Sequence, residues 1–355
     1  MTLLSFTASD FRCLESVTLE ANPGYNLVYG SNASGKTSLL EAIAYLGRGK
    51  SFRGASTEQL LRHGAREFLL RGRVQGVDRV LRLGVRNGSA GLEISTDGDR
   101  GGGAAALAEV LPLQIVDPDV HDLVAAGPDG RRRYLDWMAF HVEQGYLALW
   151  RDFRRALRQR NTVLRQDTDT ATLAGWDREF EQLGHRVDEV RARVLESARQ
   201  ALESTGRRLL GEPVGFEYQR GWAADQSLAA ALQANRQRDR QLGSTQSGPQ
   251  RADIRLSSAE RQARKRVSRG QQKLLACTLI LSATAVVQAH LGRPLLLLLD
   301  DPAAELDRHS LGRLMEEVSM LRCQVIATAL QADDQLFPEA PALFHVEQGA
   351  LNPVR

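Results

Sequence analysis

From Phe68 to Ile94 apolar and polar side chains alternate, as in Leu69-Leu70-Arg71-Gly72-Arg73-Val74 and Arg79-Val80-Leu81-Arg82-Leu83-Gly84-Val85, which predicts antiparallel strands. Ahead of them, Leu3 to Phe6 and Val17 to Glu20 predict two strands of a small hairpin-like sheet, separated by the turn-rich Ala8-Ser9-Asp10-Phe11-Arg12. Tyr25 to Tyr29 predicts a short buried strand. Thr37 to Leu46, with Leu39, Leu40, Ile43 and Leu46 at helical spacing, predicts a helix. Gly47 to Arg53 reads as a basic loop, Asp97 to Gly103 as a glycine-rich turn, and Leu111 to Val116 as a buried strand ending at Asp117-Pro118-Asp119.

From Gly130 the period changes from two to about 3.6. Phe180, Leu183, Val187, Val190, Val194 and Leu202 recur at three- and four-residue steps, and Phe153, Ala156, Leu157, Val163 and Leu164 supply an opposing stripe, so a helical hairpin or bundle is expected. Ser227 is placed to cap a further helix over Leu228 to Leu242, before the turn Gly243 to Pro249. The last third returns to an α/β pattern: Leu295 to Leu299 is a wholly apolar strand ending in Asp300-Asp301, and Gln324 to Ala329 reads as its neighbour. The expected architecture is an α/β body in two pieces, residues 1–128 and 247–355, interrupted by a mainly helical insertion at 129–246.

At 355 residues, 43% of them hydrophobic and 25% charged, the composition is that of a globular protein with room for two domains. The first residues lack a basic start and a sustained apolar run. Leu274 to Leu291 is interrupted by Thr278, Ser282, Thr284 and Gln288, which suits a buried helix better than a membrane span, so a cytoplasmic protein with no membrane partner is expected. Cys13, Cys277 and Cys323 are too scattered for a disulfide framework, and the seven histidines show no ligand spacing, so zinc is not expected. The net charge is +3, but its distribution is uneven: residues 131–166 hold nine arginines against Asp136, Glu143 and Asp152, a balance of +6. Another +6 sits in residues 261–273, on Arg261, Arg264, Lys265, Arg266, Arg269 and Lys273, whereas residues 300–347 carry −7. Such asymmetry suggests a side that faces a polyanion.

The stretch Gly30-Ser31-Asn32-Ala33-Ser34-Gly35-Lys36-Thr37-Ser38 fits G-x-x-x-x-G-K-[ST], and it lies between a predicted strand and a predicted helix, as a phosphate-binding loop requires. Amides at a helix N-terminus would hold the β- and γ-phosphates of ATP, Lys36 would reach them, and Thr37 would offer its hydroxyl to Mg²⁺. In that company the strand ending at Asp300 reads as a Walker B strand, with Asp300 holding the Mg²⁺ shell beside Thr37.

Val267-Ser268-Arg269-Gly270-Gln271-Gln272, followed at once by a long apolar helix, resembles the signature of ABC-type ATPases, in which a serine hydroxyl and glycine amides cover the γ-phosphate of ATP bound to another subunit. One chain has one phosphate loop and one such signature, so the resemblance implies a head-to-tail homodimer joined by ATP. Asp301 stands where that class usually has a glutamate that polarises the attacking water, and Ala303-Ala304-Glu305-Leu306-Asp307 matches the loop that follows.

Over nearly its whole length the chain resembles the RecF family, the bacterial recombination and replication-repair ATPases related to SMC-like heads. The matches include Gly47 to Arg53, Arg132-Arg133-Tyr134-Leu135-Asp136-Trp137 with His141, Arg238-Asp239 with Gly243 and Thr245, and Gly248 to Asp253. Ala33, where glycine is common, Gln250, where histidine is usual, and Ala304, where serine is common, depart from the family pattern. The resemblance implies an ABC-type P-loop ATPase head with a mixed sheet and weak DNA-stimulated ATP hydrolysis. It also implies ATP-dependent dimerisation on duplex DNA at gaps or single-strand/double-strand junctions, and partnership with RecR and RecO in loading RecA. It assigns Arg12, Ser268, Arg269, Gly270 and Gln271 to the nucleotide, Gln114 with Thr37 and Asp300 to the metal, and Lys36 and Asp301 to catalysis.

Three rivals are weaker. ABC transporter subunits usually carry a histidine after the strand following Walker B, where this chain has Thr328 and Gln331; a structural SMC clamp needs far longer coiled coils than this insertion; and a GTPase needs an N-K-x-D motif that is missing.

Overall fold

In the computed structural model, which describes residues 2–166, 170–258, 261–262 and 268–354, β1 (Thr2–Phe11) turns at Arg12-Cys13 into β2 (Leu14–Glu20), with Phe11 opposite Leu14. The expected turn over Ala8 to Arg12 is therefore mostly strand. Ala8 and Phe11 are both buried although three residues apart, and Asp10 between them stands at φ 56°, so the period-two alternation is broken there while the pairing runs on to Phe11. Next come β3 (Tyr25–Tyr29), α1 (Lys36–Arg48), the one-turn α2 (Thr57–Leu60), a meander of β4 (Glu67–Gln75), β5 (Val80–Gly88), β6 (Gly91–Thr96) and β7 (Asp99–Arg100), then α3 (Ala104–Val110) and β8 (Leu113–Val116). The basic loop expected from Gly47 begins two residues later, because α1 runs on to Arg48 and Gly49 ends it in the left-handed conformation.

The middle of the chain forms α4 (Asp122–Ala125), α5 (Pro128–Val142), α6 (Tyr146–Arg165), α7 (Thr170–Ser197), α8 (Arg199–Leu210), β9 (Val214–Gln219), α9 (Leu228–Leu242), β10 (Asp253–Ser258), β11 (Arg261–Gln262) and α10 (Arg269–Leu291). The final elements are β12 (Leu296–Leu299), α11 (Arg308–Met320), β13 (Gln324–Ala329), β14 (Ala342–Glu347) and β15 (Ala350–Pro353). Contacts divide these elements into two units, Met1–Val120 with Gly292–Arg355, and His121–Leu291. The second unit thus runs on to Leu291 and takes in β10, β11 and α10. β10 pairs with β9, and α10 packs on α5 and α8, which ties both to the helical unit.

In the first unit an antiparallel sheet in the order β2-β1-β4-β5-β6-β7 and a mixed sheet in the order β15-β14-β3-β13-β12-β8 enclose α1. Leu39, Leu40, Ile43 and Leu46 pack with Phe6, Phe68 and Leu70 from one sheet and Val28, Leu298 and Ile326 from the other, so α1 is covered all round. In the mixed sheet β8, β12, β13, β3 and β14 are parallel. Their common C-terminal edge is where an open α/β sheet binds ligands.

In the second unit α6 and α7 pack through Phe153 and Phe180, ring centroids 5.3 Å apart, as the two stripes predict. Ser227 caps α9 by accepting from the Ala230 amide at 3.1 Å. The sequence pattern did not show the small sheet β11-β10-β9, nor two arginines buried completely inside the unit. Arg160 takes a position on the buried stripe of α6 and donates to Asp177 and Asp239, each at 2.8 Å, and to the Thr245 hydroxyl at 2.7 Å. Arg191 donates to Asp136 and to the Pro249 carbonyl, both at 2.7 Å. α10 is the one helix among the described residues long and apolar enough to cross a membrane, and Lys273 to Thr284 along it are buried.

Removing one partner from a buried ion pair leaves an uncompensated charge, so Arg160→Ala, which strands Asp239, should cost about 3–5 kcal/mol of stability. Urea denaturation checks this, and a loss below about 1 kcal/mol would show that the network is dispensable.

Candidate nucleotide-binding site

The loop Gly30 to Gly35 leaves β3 at the C-terminal edge of the mixed sheet, where the Gly30 amide donates to the Ala329 carbonyl of β13 at 3.3 Å. Two glycines are sterically required. A Cβ on Gly30 would stand 2.3 Å from the Val346 carbonyl oxygen, and Gly35 has φ +116° with Cys13 Sγ 3.2 Å from any Cβ. Ala33, where the family commonly has glycine, is held at φ 62°, a left-handed conformation that costs an L-residue roughly 1–2 kcal/mol.

No side chain caps α1, unlike α9 with Ser227 and α11 with Asp307, so its first-turn amides are left for an anion. Within the loop the Ser34 hydroxyl is buried and has no protein partner, a polar atom suited to an incoming oxygen. Lys36 Nζ donates to the carbonyls of Gly30 at 2.7 Å and Ser31 at 2.8 Å, so it already lies across the mouth of the loop. Its burial lowers its pKa, against the opposing pull of Asp301 and Asp300.

The two acids after β12 lie beside this loop. The Thr37 hydroxyl donates to Asp300 Oδ1 at 3.1 Å, and the buried Thr328 hydroxyl donates to the same oxygen at 2.7 Å while accepting from the Asp301 amide at 2.9 Å. Asp301 is held at φ 46°, a strained backbone of the kind that marks functional sites. Thr328 thus positions both acids. The sequence gives Thr328 no such role by itself, although a threonine near the end of the strand next to Walker B is a usable signal.

Gln114, assigned to the metal, is not brought to Thr37 and Asp300. It pairs in register with Leu297, three residues before Asp300 and so about 10 Å back along the strands, and its carboxamide accepts from Arg48 at 3.3 Å. The group at the end of β8 is Asp117, one residue beyond Val116, whose carbonyl accepts from the Asp300 amide at 2.8 Å. Burial, then Asp119, then Asp300 push the Asp117 carboxyl up to about 6.

Arg12, assigned to the nucleotide, sits at the β1–β2 turn. Its neighbour Cys13 has Sγ 3.5 Å from the Ser38 hydroxyl, but the Arg12 guanidinium is paired through two nitrogens with the buried Glu41 of α1.

The signature residues begin α10 in the other unit. The Gln271 amide donates to the Ser268 hydroxyl at 3.3 Å, and the Ser268 amide donates to the Gln271 carboxamide at 3.0 Å. This is a capping box. It fixes the serine at the helix end with its own proton available, and Ser268, Arg269 and Gln271 are exposed.

The basic runs are less superficial than the charge count suggests. Arg131 is buried and paired with Asp253 at 2.6 Å, Arg160 and Lys273 are fully buried, and Arg132 donates to the Ala252 carbonyl at 2.9 Å. Arg133, Arg151, Arg154 and Arg158 remain exposed. Arg264, Lys265 and Arg266 lie outside the described residues.

A model of the RecF/RecN/SMC N-terminal domain family matches residues 2–350. A DNA replication and repair protein RecF of Edwardsiella ictaluri (strain 93-146) is 37% identical over 99% of both chains, and one of Pseudomonas fluorescens (strain SBW25) is 40% identical over 99% of this chain and 98% of its own. A solved structure of the recombination mediator protein RecF with ATP, in the RecFOR pathway, superposes with a TM-score of 0.89 at 25% identity, covering 100% of this chain and 98% of that one. An SMC head bound to the C-terminal winged-helix domain of ScpA shares the fold, with a TM-score of 0.61 at 15% identity over 100% of this chain and 97% of that one. Fold and site together define an ABC-type P-loop ATPase head of the RecF/RecN/SMC class. Within that class the full-length identities are to RecF proteins, and the chain belongs to the RecF family of DNA replication and repair proteins.

Asp117 supplies a pH test. Its folded pKa of about 6 lies above the ordinary value, so its contribution to stability is full below about pH 4 and is lost as pH rises through 6. Asp117→Asn should therefore raise the melting temperature relative to wild type at pH 8 and change it little at pH 4.5. A shift of about two pKa units sets an upper limit of about 3 kcal/mol on the gain. An equal effect at both pH values would contradict the assignment.

Proposed function

We propose that ATP draws two copies of this chain into a head-to-tail pair on duplex DNA, near gaps or single-strand/double-strand junctions, and that slow, DNA-stimulated hydrolysis releases it. The observation that carries the reading is the division of parts. Each chain has one phosphate loop in its first unit and one serine-led, exposed helix N-terminus in its second. Two such chains can supply two complete sites, with Gly30 to Ser38 of one copy facing Ser268 to Gln271 of the other. By function, as distinct from packing, the ATPase head is then residues 1–128 and 247–355, so that the signature helix α10 counts with it, around the insertion at 129–246. The relative solved with ATP supports the nucleotide, and its name as a recombination mediator in the RecFOR pathway supports RecO and RecR as partners; loading of RecA, in the cytoplasm, is part of the same proposal.

Thr37 and Asp300 offer hard oxygen donors 3.1 Å apart, a set that fits Mg²⁺. When bound, the ion would neutralise charge on the phosphates. Lys36 holds the phosphate end of the nucleotide, and Thr328 fixes the two acids. Asp301 is left to orient the attacking water. Its carboxylate is one methylene shorter than the glutamate usual at this position and so sits farther back. Misplacement on this scale can cost on the order of 100-fold, so turnover should fall well below the roughly 1–100 s⁻¹ of kinases. A slow cycle suits a timed clamp and not a motor.

Light scattering tests the pairing: the mass should double with ATP and Mg²⁺ but not with ADP, and an equal dimer fraction with ADP would sink the proposal. For the chemistry, Asp301→Asn should retain nucleotide affinity while losing most hydrolysis, so that its DNA-bound dimer persists. Wild-type rates in that variant would remove Asp301 from its role.

A further inference from the structure

The solvent face of the antiparallel sheet in the first unit carries a charge pattern that no linear run reveals. Because side chains alternate, Arg71 and Arg73 of β4 and Arg82 of β5 all project outward, and all three are exposed. The register places Arg73 directly opposite Arg82, and Arg71 opposite Gly84. Directly opposed residues have Cβ atoms about 4.5–5.5 Å apart, where like charges destabilise a sheet. None of the three has an ion-pair or hydrogen-bond partner for its guanidinium among the described residues. By contrast, Arg79 and Arg86 on the same sheet are paired, with Asp97 at 3.2 Å and with Glu67 at 3.7 Å.

Hydroxyls flank the three arginines on β1 and β6, and Leu69 and Val80, half-buried, are their apolar neighbours on β4 and β5. Thr7 and Ser9 of β1, half-buried, continue the face, with Thr7 opposite Arg71; Ser5, opposite Arg73, is buried; and Ser95 of β6 lies opposite Gly84. The acids Glu20, Glu67, Glu93 and Asp97 stand around this centre on the flanking strands and turns. The large exposed apolar side chains of this sheet, Val77 and Leu92, are at hairpin tips and not on the face. A protein interface would need apolar anchors at its centre. Planar guanidinium forks and hydroxyls are the groups that meet phosphate oxygens, and same-face neighbours along a strand recur about every 6.8 Å.

We propose that this sheet face, through Arg71, Arg73 and Arg82 with Thr7 beside them, binds the phosphodiester backbone of nucleic acid without reading its sequence. The proposal rests on the DNA-binding reading above and adds a surface in the first unit, separate from the basic runs. A phosphate between Arg73 and Arg82 turns their repulsion into shared attraction, which accounts for an opposed pair left without a carboxylate.

The test is fluorescence anisotropy of a mixed-sequence duplex with the full-length chain and ATP, over a range of salt concentrations. Each arginine–phosphate contact contributes about 0.9 to the slope of log affinity against log salt. The variant Arg71→Gln/Arg73→Thr/Arg82→Thr should lose about 2–3 from that slope and roughly tenfold or more in affinity. Its melting temperature should be unchanged or higher, since an opposed like-charge pair is gone. The lysine triple should keep the slope, and Arg79→Gln/Arg86→Gln, which removes paired arginines, should change it little. A folded triple variant that binds duplex as wild type does overturns the proposal, and so does a triple that loses affinity only for poly-glutamate, which would assign the face to an acidic protein. If wild type itself shows no salt-dependent binding to duplex, the DNA-binding reading fails first, and this surface with it.

Discussion

The carboxylate of Asp300 is where the elements of the site meet. One oxygen accepts from Thr37, at the first turn of α1, and from Thr328, at the end of β13, while the Asp300 amide donates to Val116 at the end of β8. A buried carboxylate needs such donors to be tolerated. The same bonds register helix, loop and three parallel strands against one another. Thr328 passes the constraint on to Asp301, from whose amide it accepts and whose backbone stands at φ 46°. Any shift of β12 against β13 would break the alignment of Thr37, Asp300 and Asp301 together.

The helical unit depends on a different constraint, the burial of whole ion pairs. Arg160 and Arg191 lie completely inside it, bonded to acids and carbonyls from α5, α7, α9 and the turn before β10. Such networks add little net stability compared with an apolar core, but a half-satisfied one is costly, so they favour one packing over its neighbours. They also explain why charge counted along the sequence overstates charge at the surface. Arg131, Arg160 and Lys273 all belong to the two basic runs, and all are buried.

How much was legible followed from how local each signal is. The phosphate loop, the strand before Asp300 and the cap at Ser227 are short stretches whose chemistry is complete in themselves, and all three have the expected backbone form. The RecF resemblance was carried by motifs spread along the chain, and full-length identities of 37% and 40% agree with it. What stayed hidden is pairing between distant positions. Thr328 acquires its role from Asp300, 28 residues away; Arg160 is on an apolar stripe whose partners Asp177 and Asp239 come from other helices; and β9 and β10 are recognisable only as a pair. Gln114 and Asp117 exchange places for the same reason. The register of β8 on β12, invisible in the sequence, decides which of them stands beside Asp300.

The central claim is that each composite site takes its phosphate loop from one chain and its serine-led helix from the other. Mixing two inactive variants tests it most directly, with Lys36→Met disabling the loop and Ser268→Arg disabling the helix end. A pair made of one of each has one intact composite site, so ATP should double the mass of the mixture while leaving each variant alone monomeric. A mixture that stays monomeric while wild type dimerises, or a single variant that dimerises unaided, would contradict the head-to-tail arrangement.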